Sequence, residues 1–470
     1  MVRRDGTIRV EPCDSRVILE RTHAEFTSHS CGQQRGSGAL NPFARVPYTI
    51  AAYLAAAAAQ VAPRGTGKLS RTFASRRGAA TRIANWARAK RDSSRPLIWF
   101  HAPSVGEGLM ARPVIELLRA RRPDAQFAYT FFSPSAESFA QALAVDVADY
   151  LPFDSPAAAR ALLDALQPAT LVFSKLDVWP ILAGEAAARR LPTALTSATL
   201  AANSGRSSAV ARWLLKDAYA SLSAVGAVHS DDAARLVSLG VRRDRVSVTG
   251  DVRYDQVWNQ IAAGAKHADL LARLHSSRPT LVAGSTWPSD EVGLFGAWTD
   301  VRQRAAGARL IIAAHEPSGS HTARVNLWAR DAGLRVDLLG QATAESDVVI
   351  VDRVGVLSEL YAVADVAFVG GGFHDKGLHS VVEPAAYGKP VLFGPRTGSS
   401  RDAQALVSTG GGFEVRDSGA LTERLSGLFT NADVRAQASL RAKQVVVDGL
   451  GAAERSAALV ERLLEPTTIR

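Results

Sequence analysis

Cysteine is nearly missing: Cys13 and Cys31, both within the first forty of the 470 residues, are the only two. No disulfide framework and no cysteine-based metal site can hold the body of the chain, which fits a reducing compartment. No His/Glu spacing of the metalloprotease kind occurs either. Aromatic residues make up 7% of the chain, and no Lys/Arg tract alternates with Tyr or Phe. That argues against a nucleic-acid interface. Acidic residues are outnumbered, 45 against 55 basic ones, leaving a formal charge of +10 carried largely by Arg. The excess points to an anionic partner such as acidic lipid headgroups or a phosphorylated substrate.

Long hydrophobic runs are also scarce. Residues 1–45 are polar and irregular and read as a disordered extension or as sequence upstream of the real start. "VPYTIAAYLAAAAAQVA" (46–62) follows, uncharged but Ala-rich, and then an Arg/Lys-dense stretch from Arg64 to Arg95. The run is at the short limit for a spanning helix, roughly 20 residues being usual. Basic flanks suit the cytoplasmic side of a membrane, so 46–62 is expected to be an uncleaved anchor helix. An Ala-rich helix packed on the domain is the plainer alternative, and a cleaved signal peptide fits less well.

What the chain has in quantity is a βα rhythm. "LIWFHA" (97–102), "FAYTFF" (127–132), "TLVFSK" (170–175), "PTALTS" (192–197) and "AVGAVHS" (224–230) alternate with helical stretches. After a charged helical interruption (256–276), "PTLVAGS" (279–285), "ARLIIAAHE" (308–316), "SDVVIVD" (346–352), "ADVAFVGGG" (364–372) and "KPVLFGP" (389–395) repeat the pattern. Continuous apolar strands spaced by helices predict parallel sheets covered on both faces. Two Rossmann-like domains are expected, over 63–258 and 276–450, with a ligand cleft between them. The last segment, 451–470, holds a helix that could return to the first domain.

The chemistry-bearing residues fall at strand ends. In "FHAPSVGEGLMARP" (100–113), Glu107 is either a helix-start charge or a working base. "VAGSTWPSDE" (282–291) offers Ser285 and Thr286 at a helix start, an anion site or simply N-capping. "FVGGGFHDKGLHSVVEPAAYGKPVLFGP" (368–395) has three glycines that permit close backbone approach to a ligand, then Lys376 and Glu383. Glu383 could accept ribose hydroxyls or merely compensate a helix dipole. His374 and His379 lack the companions a metal site needs. Lys175 and Asp177 in "FSKLDVWP", Arg253 in "VTGDVRYDQV" and His315 in "AAHEP" complete the set. Arg253 could reach an anion or pair with Asp251 or Asp255. Several converging strand ends carry more weight than any one of them.

"HAPSVGEGLMARP", "GDVRYDQV", "AGSTWPSDE", "LSELYAVADVAFVGGGF" and "LHSVVEPAAYGKPVLFGP", in this order and spacing, resemble the 3-deoxy-D-manno-octulosonic acid (Kdo) transferases of Gram-negative bacteria. The resemblance spans roughly residues 46–465. It implies a GT-B fold, CMP-Kdo as donor, a lipid A precursor as acceptor, inversion at the sugar, no resident metal, and attachment to the cytoplasmic face of the inner membrane. It also implies Glu107 as catalytic base within Ser104-x-Gly106-Glu107. Donor contacts would come from Ser285, Thr286, His315, Gly371, Gly372 and Glu383, with Lys376 nearby. Ser104, Gly106, Arg112, Lys175, Asp177 and Arg253 stand as acceptor-side or electrostatic candidates, though a surface role suits Arg112 equally.

The chain departs from the family pattern at three places. Many members carry Glu-x-Glu where this chain has Lys175-Leu176-Asp177, and Arg-His-Pro where it has Ala314-His315-Glu316. An Asn-Ala-Arg-rich loop is replaced by "TSATLAANSGR" (196–206). Two alternatives follow: a nucleotide-sugar epimerase of the same architecture, or an inactive member that binds CMP or lipid.

Overall fold

A computed structural model of the chain describes residues 42–61, 68–202, 204–398 and 400–465. The extension expected over 1–45 thus lies almost wholly outside the described residues. Seven strands form the first sheet: β1 (Leu97–His101), β2 (Gln126–Phe131), β3 (Val147–Tyr150), β4 (Thr170–Ser174), β5 (Thr193–Ala198), β6 (Ala224–Ala227) and β7 (Val246–Val248). Seven more form the second: β8 (Thr280–Thr286), β9 (Arg309–Ala314), β10 (Val336–Leu338), β11 (Val348–Val351), β12 (Val366–Val369), β13 (Val391–Phe393) and β14 (Gly412–Glu414). Their spatial orders are β3-β2-β1-β4-β5-β6-β7 and β10-β11-β9-β8-β12-β13-β14, and neighbouring pairs such as β1–β4 and β12–β8 run parallel.

Every residue of β1, β2, β4 and β5 is buried. Helices on both faces exclude water from these strands, so sequence selects apolar side chains at consecutive positions instead of alternating them. The edge strands β3, β7, β10 and β14 are only three or four residues long and partly exposed, too short to register as apolar runs.

Strand order fixes where ligands can bind. Each sheet reverses direction of growth once, between β1 and β4 in the first and between β8 and β12 in the second. The loops leaving the C-terminal ends of such a pair diverge to opposite faces and open a crevice. Glu107 follows β1 and Lys175 follows β4. Trp287 follows β8 and the glycine loop follows β12.

The final helix, Ala452–Glu461, buries Ala453, Ala457 and Val460 in the same core as Phe100, Val114 and Phe127 of the first half. Asp255 holds it there, its two carboxylate oxygens accepting from the Gly451 N–H at 2.7 Å and the Ala453 N–H at 3.0 Å.

The apolar N-terminal stretch is a helix, Pro42–Val61, with Pro47 inside it. Among the described residues no helix is long and apolar enough to cross a membrane, so the anchor expected over 46–62 is not shown as a spanning helix. Alanine side chains supply too little apolar surface for that. Tyr48 turns inward and donates to the buried Asp154 carboxylate at 3.1 Å. Val46, Ile50, Tyr53 and Leu54 stay exposed along one helical stripe.

Replacing Asp255 with Ala leaves two partly buried N–H groups without this acceptor and should lower stability by about 1–3 kcal/mol in denaturant unfolding. An unchanged midpoint would mean that apolar packing alone seats the last helix.

Candidate active site

Glu107 sits in the first turn of the helix Val105–Arg121, which opens directly after β1. Its carboxylate is held at both oxygens. Ser104, extended at the N-cap, donates its hydroxyl to Oε2 in a close contact, and Lys175 Nζ lies 3.3 Å from Oε1. From the end of β4, Ser174 Oγ donates to the Glu107 carbonyl at 3.1 Å. The side chain remains 17% exposed, so a ligand can reach it. A Cβ added at Gly106 would meet nothing nearer than Ser104 Oγ at 3.8 Å, so this glycine leaves open room beside the carboxylate. At Gly108 the space is instead filled by Phe139 and Tyr129, a packing requirement.

Lys175 reaches Glu107 from a left-handed backbone, φ +66°. Such a conformation costs a non-glycine residue about 1 kcal/mol or more and persists only where surroundings enforce it. Its N–H donates to the Thr196 carbonyl at 2.8 Å, which holds the turn. Asp177 pairs with Arg206 at 2.8 Å. Burial pushes the Asp177 carboxyl up, Arg206 opposes this, and nearby Glu107 adds to the rise. Arg112 is bridged to Glu116 at 2.7 Å with both side chains half exposed, so the structure gives it a surface role and removes it from the site.

Beneath this group lies His101, fully buried at the end of β1. Its Nδ1 is 3.0 Å from Thr130 Oγ1, and its ring meets Trp179 edge-on. Burial pushes its pKa down to about 3.

The second half presents two loops across its own switch point. Asp290, with no exposure, accepts from the N–H groups of Trp287 (2.8 Å), Gly371 (2.8 Å) and Phe373 (3.1 Å). One carboxylate thus joins the helix start after β8 to the glycine loop after β12. The glycines have packing reasons: Cβ atoms on Gly370, Gly371 and Gly372 would strike the backbones of Ser285, Gly377 and Gly394. The neighbouring backbone alone therefore accounts for the absence of side chains at these three positions.

Thr286 is corrected as an open donor contact. It is buried, and its hydroxyl donates to Glu291 at 3.0 Å. Ser285 sits beside it at φ +54°, in a bulge between β8 and β9. Rings gather at the mouth: His374 stacks on Trp287 at 4.0 Å, and His315 on both Trp287 (4.7 Å) and His379 (4.5 Å). Glu383, in the short helix Val382–Ala386, is pushed up by burial, and among the described residues no hydrogen-bond donor meets its carboxylate.

A cleft of about 900 Å³ lies between the halves. Arg253, Lys376 and His379 line it, but Glu107, Ser285 and Glu383 do not. Arg253 is paired with Asp251 at 2.6 Å and with Asp402 of the second half at 2.9 Å, so it acts as a cross-link and not as a free anion contact. Tyr254 donates to the same Asp402 at 2.9 Å, and Arg401 pairs with buried Asp232 at 2.5 Å. None of Asp290, Asp232, Arg401 or Asp402 was singled out from sequence. Asp290 at least carried a signal, as the acid at the third position of a Pro-started helix. Among the described residues no three His, Cys, Asp or Glu side chains are placed to hold a metal ion.

The family sequence model described as 3-deoxy-D-manno-octulosonic-acid transferase (kdotransferase) matches residues 73–256. A 3-deoxy-D-manno-octulosonic acid transferase of Bordetella pertussis is 30% identical over 335 residues, covering 68% of this chain and 77% of its own. The chain belongs to the 3-deoxy-D-manno-octulosonic acid transferase family. The Haemophilus influenzae enzyme of that name is 24% identical over 78% of this chain and 87% of its own.

Solved structures place the architecture of this Kdo transferase-family chain among two-domain α/β glycosyltransferase-like folds. A glycosyltransferase from Rickettsia africae aligns with a TM-score of 0.54 at 13% identity, covering 79% of this chain and 100% of that one. The UDP-GlcNAc 2-epimerase of Neisseria meningitidis, bound to UDP-GlcNAc, gives 0.56 at 15%, with 78% and 100% covered. The epimerase likeness extends to the fold alone.

His101 gives this family member a defined acid sensitivity. Its pKa is lower folded than the ordinary 6.5, so the stability it contributes is complete above pH 6.5 and is lost as pH falls towards 3. In that window the unfolded chain takes up one more proton, a slope of up to about 1.4 kcal/mol per pH unit. His101→Asn should flatten the acid side of a stability–pH profile. An identical profile would show that native His101 protonates freely.

Proposed function

We propose that the chain moves Kdo from CMP-Kdo to a lipid A precursor, with inversion at the sugar, in lipopolysaccharide biosynthesis on the cytoplasmic face of the bacterial inner membrane. The observation that carries this reading is Glu107, a carboxylate at a switch point, gripped by Ser104 and Lys175 and open on the Gly106 side. In a direct displacement the acceptor hydroxyl oxygen attacks the anomeric carbon while the bond to the phosphate oxygen breaks, its electrons leaving with CMP. One base must take the hydroxyl proton. Glu107 takes it, and Lys175 and Ser104 keep the carboxylate aimed. Positive charge builds on the sugar as the bond lengthens.

Departing CMP carries phosphate charge, which Lys376 and the donors of the second half are suited to meet. Glu383, whose carboxylate meets no donor among the described residues, suits ribose hydroxyls. Acceptor phosphates give a use to the basic excess of the chain.

Attachment to the membrane is best supported as surface binding. The exposed stripe Val46, Ile50, Tyr53 and Leu54 has the spacing of an interfacial helix face. The neighbouring helix Ala209–Ala220 exposes Val210 and Trp213 beside Arg212 and Lys216.

Incubation with CMP-Kdo and tetraacylated lipid A precursor, followed by product mass, tests the activity. Glu107→Gln should slow transfer roughly 10²–10⁴-fold with CMP still bound. Turnover at the wild-type rate would remove Glu107 as base, and no transfer by the unaltered protein would favour an inactive, ligand-binding member. Changing Ile50 and Leu54 together to Asp should reduce cosedimentation with anionic vesicles while sparing CMP binding. Equal cosedimentation would place the contact elsewhere.

A further inference from the structure

Trp287 offers a nitrogen to His379. Its indole Nε1 lies 3.1 Å from His379 Nε2, with the two rings within 8° of coplanar. An indole N–H can only donate. His379 Nε2 must therefore be the bare, accepting nitrogen, and the ring proton must sit on Nδ1. A doubly protonated His379 would set two hydrogens against each other across this contact. Burial and the neighbouring His315 and His374 lower the His379 pKa, with Asp290 opposing, in keeping with a neutral ring.

The same histidine lines the interdomain cleft with Lys376 and Ser380. Its backbone N–H is tied to the Gly370 carbonyl at 3.1 Å, and His315 stacks on its ring at 4.5 Å. The ring is fixed in position, in tilt and in tautomer. Among the described residues no acceptor meets Nδ1, so that N–H is left for a ligand, on a residue that lines the cleft.

We propose that Trp287 is a positioning residue, locking His379 as a neutral Nδ1–H donor to an anionic oxygen of the nucleotide donor in the cleft. This rests on the donor assignment above and deepens it. A neutral donor suits a leaving phosphate, because an uncharged imidazole N–H binds the anion yet is too weak an acid to surrender its proton to it. Trp287 earns no contact with the nucleotide in this arrangement. It acts through His379.

The test uses CMP binding by the full chain, measured calorimetrically, so it does not depend on acceptor or on turnover. Trp287→Phe keeps a stacking ring for His374 and His315 but deletes the N–H. Its CMP dissociation constant should rise about tenfold, the scale of one hydrogen bond. His379→Asn supplies an amide N–H in place of Nδ1–H and has no tautomer to set. In that background Trp287→Phe should cost less than twofold. Equal losses in both backgrounds would overturn the proposal, reducing Trp287 to a stacking platform. Long-range proton–nitrogen spectra of the imidazoles, assigned with His379→Asn, give an independent readout. His379 should be protonated on Nδ1 in the wild type and lose that preference in Trp287→Phe. Protonation on Nε2 in the wild type would also overturn it. Absence of CMP binding by wild type that shows the expected tautomer would instead overturn the donor assignment beneath it.

Discussion

The buried carboxylate of Asp290 is the joint on which the second half depends. Three backbone N–H groups from two different loops converge on it, and it has no contact with water. Burying a carboxylate is costly unless donors replace its hydration, and breaking such a set strands both the charge and the N–H groups. The arrangement therefore holds or fails as a unit. It fixes Trp287 relative to the glycine loop, and through them His374, His379 and Lys376. Because β8 and β12 flank the switch point, this joint also sets the width of the crevice where a ligand can lie.

The first half solves the same geometric problem with the opposite exposure. Its two switch-point loops meet through Glu107, whose carbonyl accepts from Ser174 and whose carboxylate accepts from Ser104 and Lys175. Asp290 spends its lone pairs on sealed backbone donors, whereas Glu107 is held by side chains and stays partly open. A carboxylate sealed among backbone N–H groups with no exposure has no face left for an incoming hydroxyl. Position in the fold is shared, and accessibility separates the sealed carboxylate from the one a ligand can reach.

The architecture was legible in sequence because parallel strands covered on both faces leave uninterrupted apolar runs. The Glu107 turn was legible for a related reason, lying between such a run and a helix. Other features have no local signature. Lys175, Ser197 and Ser285 adopt left-handed backbones that sequence normally marks with glycine, so their turns are hidden. Conversely, Gly370, Gly371 and Gly372 look like a ligand loop but answer to neighbouring backbone. The pairs Asp232–Arg401 and Arg253–Asp402 join positions nearly 150 or more residues apart, a relation that spacing cannot reveal.

Lys175 bears on what the acceptor meets. Where many relatives carry a carboxylate, this chain sets an ammonium 3.3 Å from Glu107. A second carboxylate there would stand beside Glu107 as a like charge, and both would repel an incoming phosphate. With Lys175 the pair is close to neutral, and the ammonium, 40% exposed, still presents positive charge to the approach. The remaining acid of that segment, Asp177, is countered by Arg206. The altered segment thus offsets the negative charge beside Glu107 without displacing that carboxylate, and under the proposed reaction an anionic acceptor would meet less repulsion there.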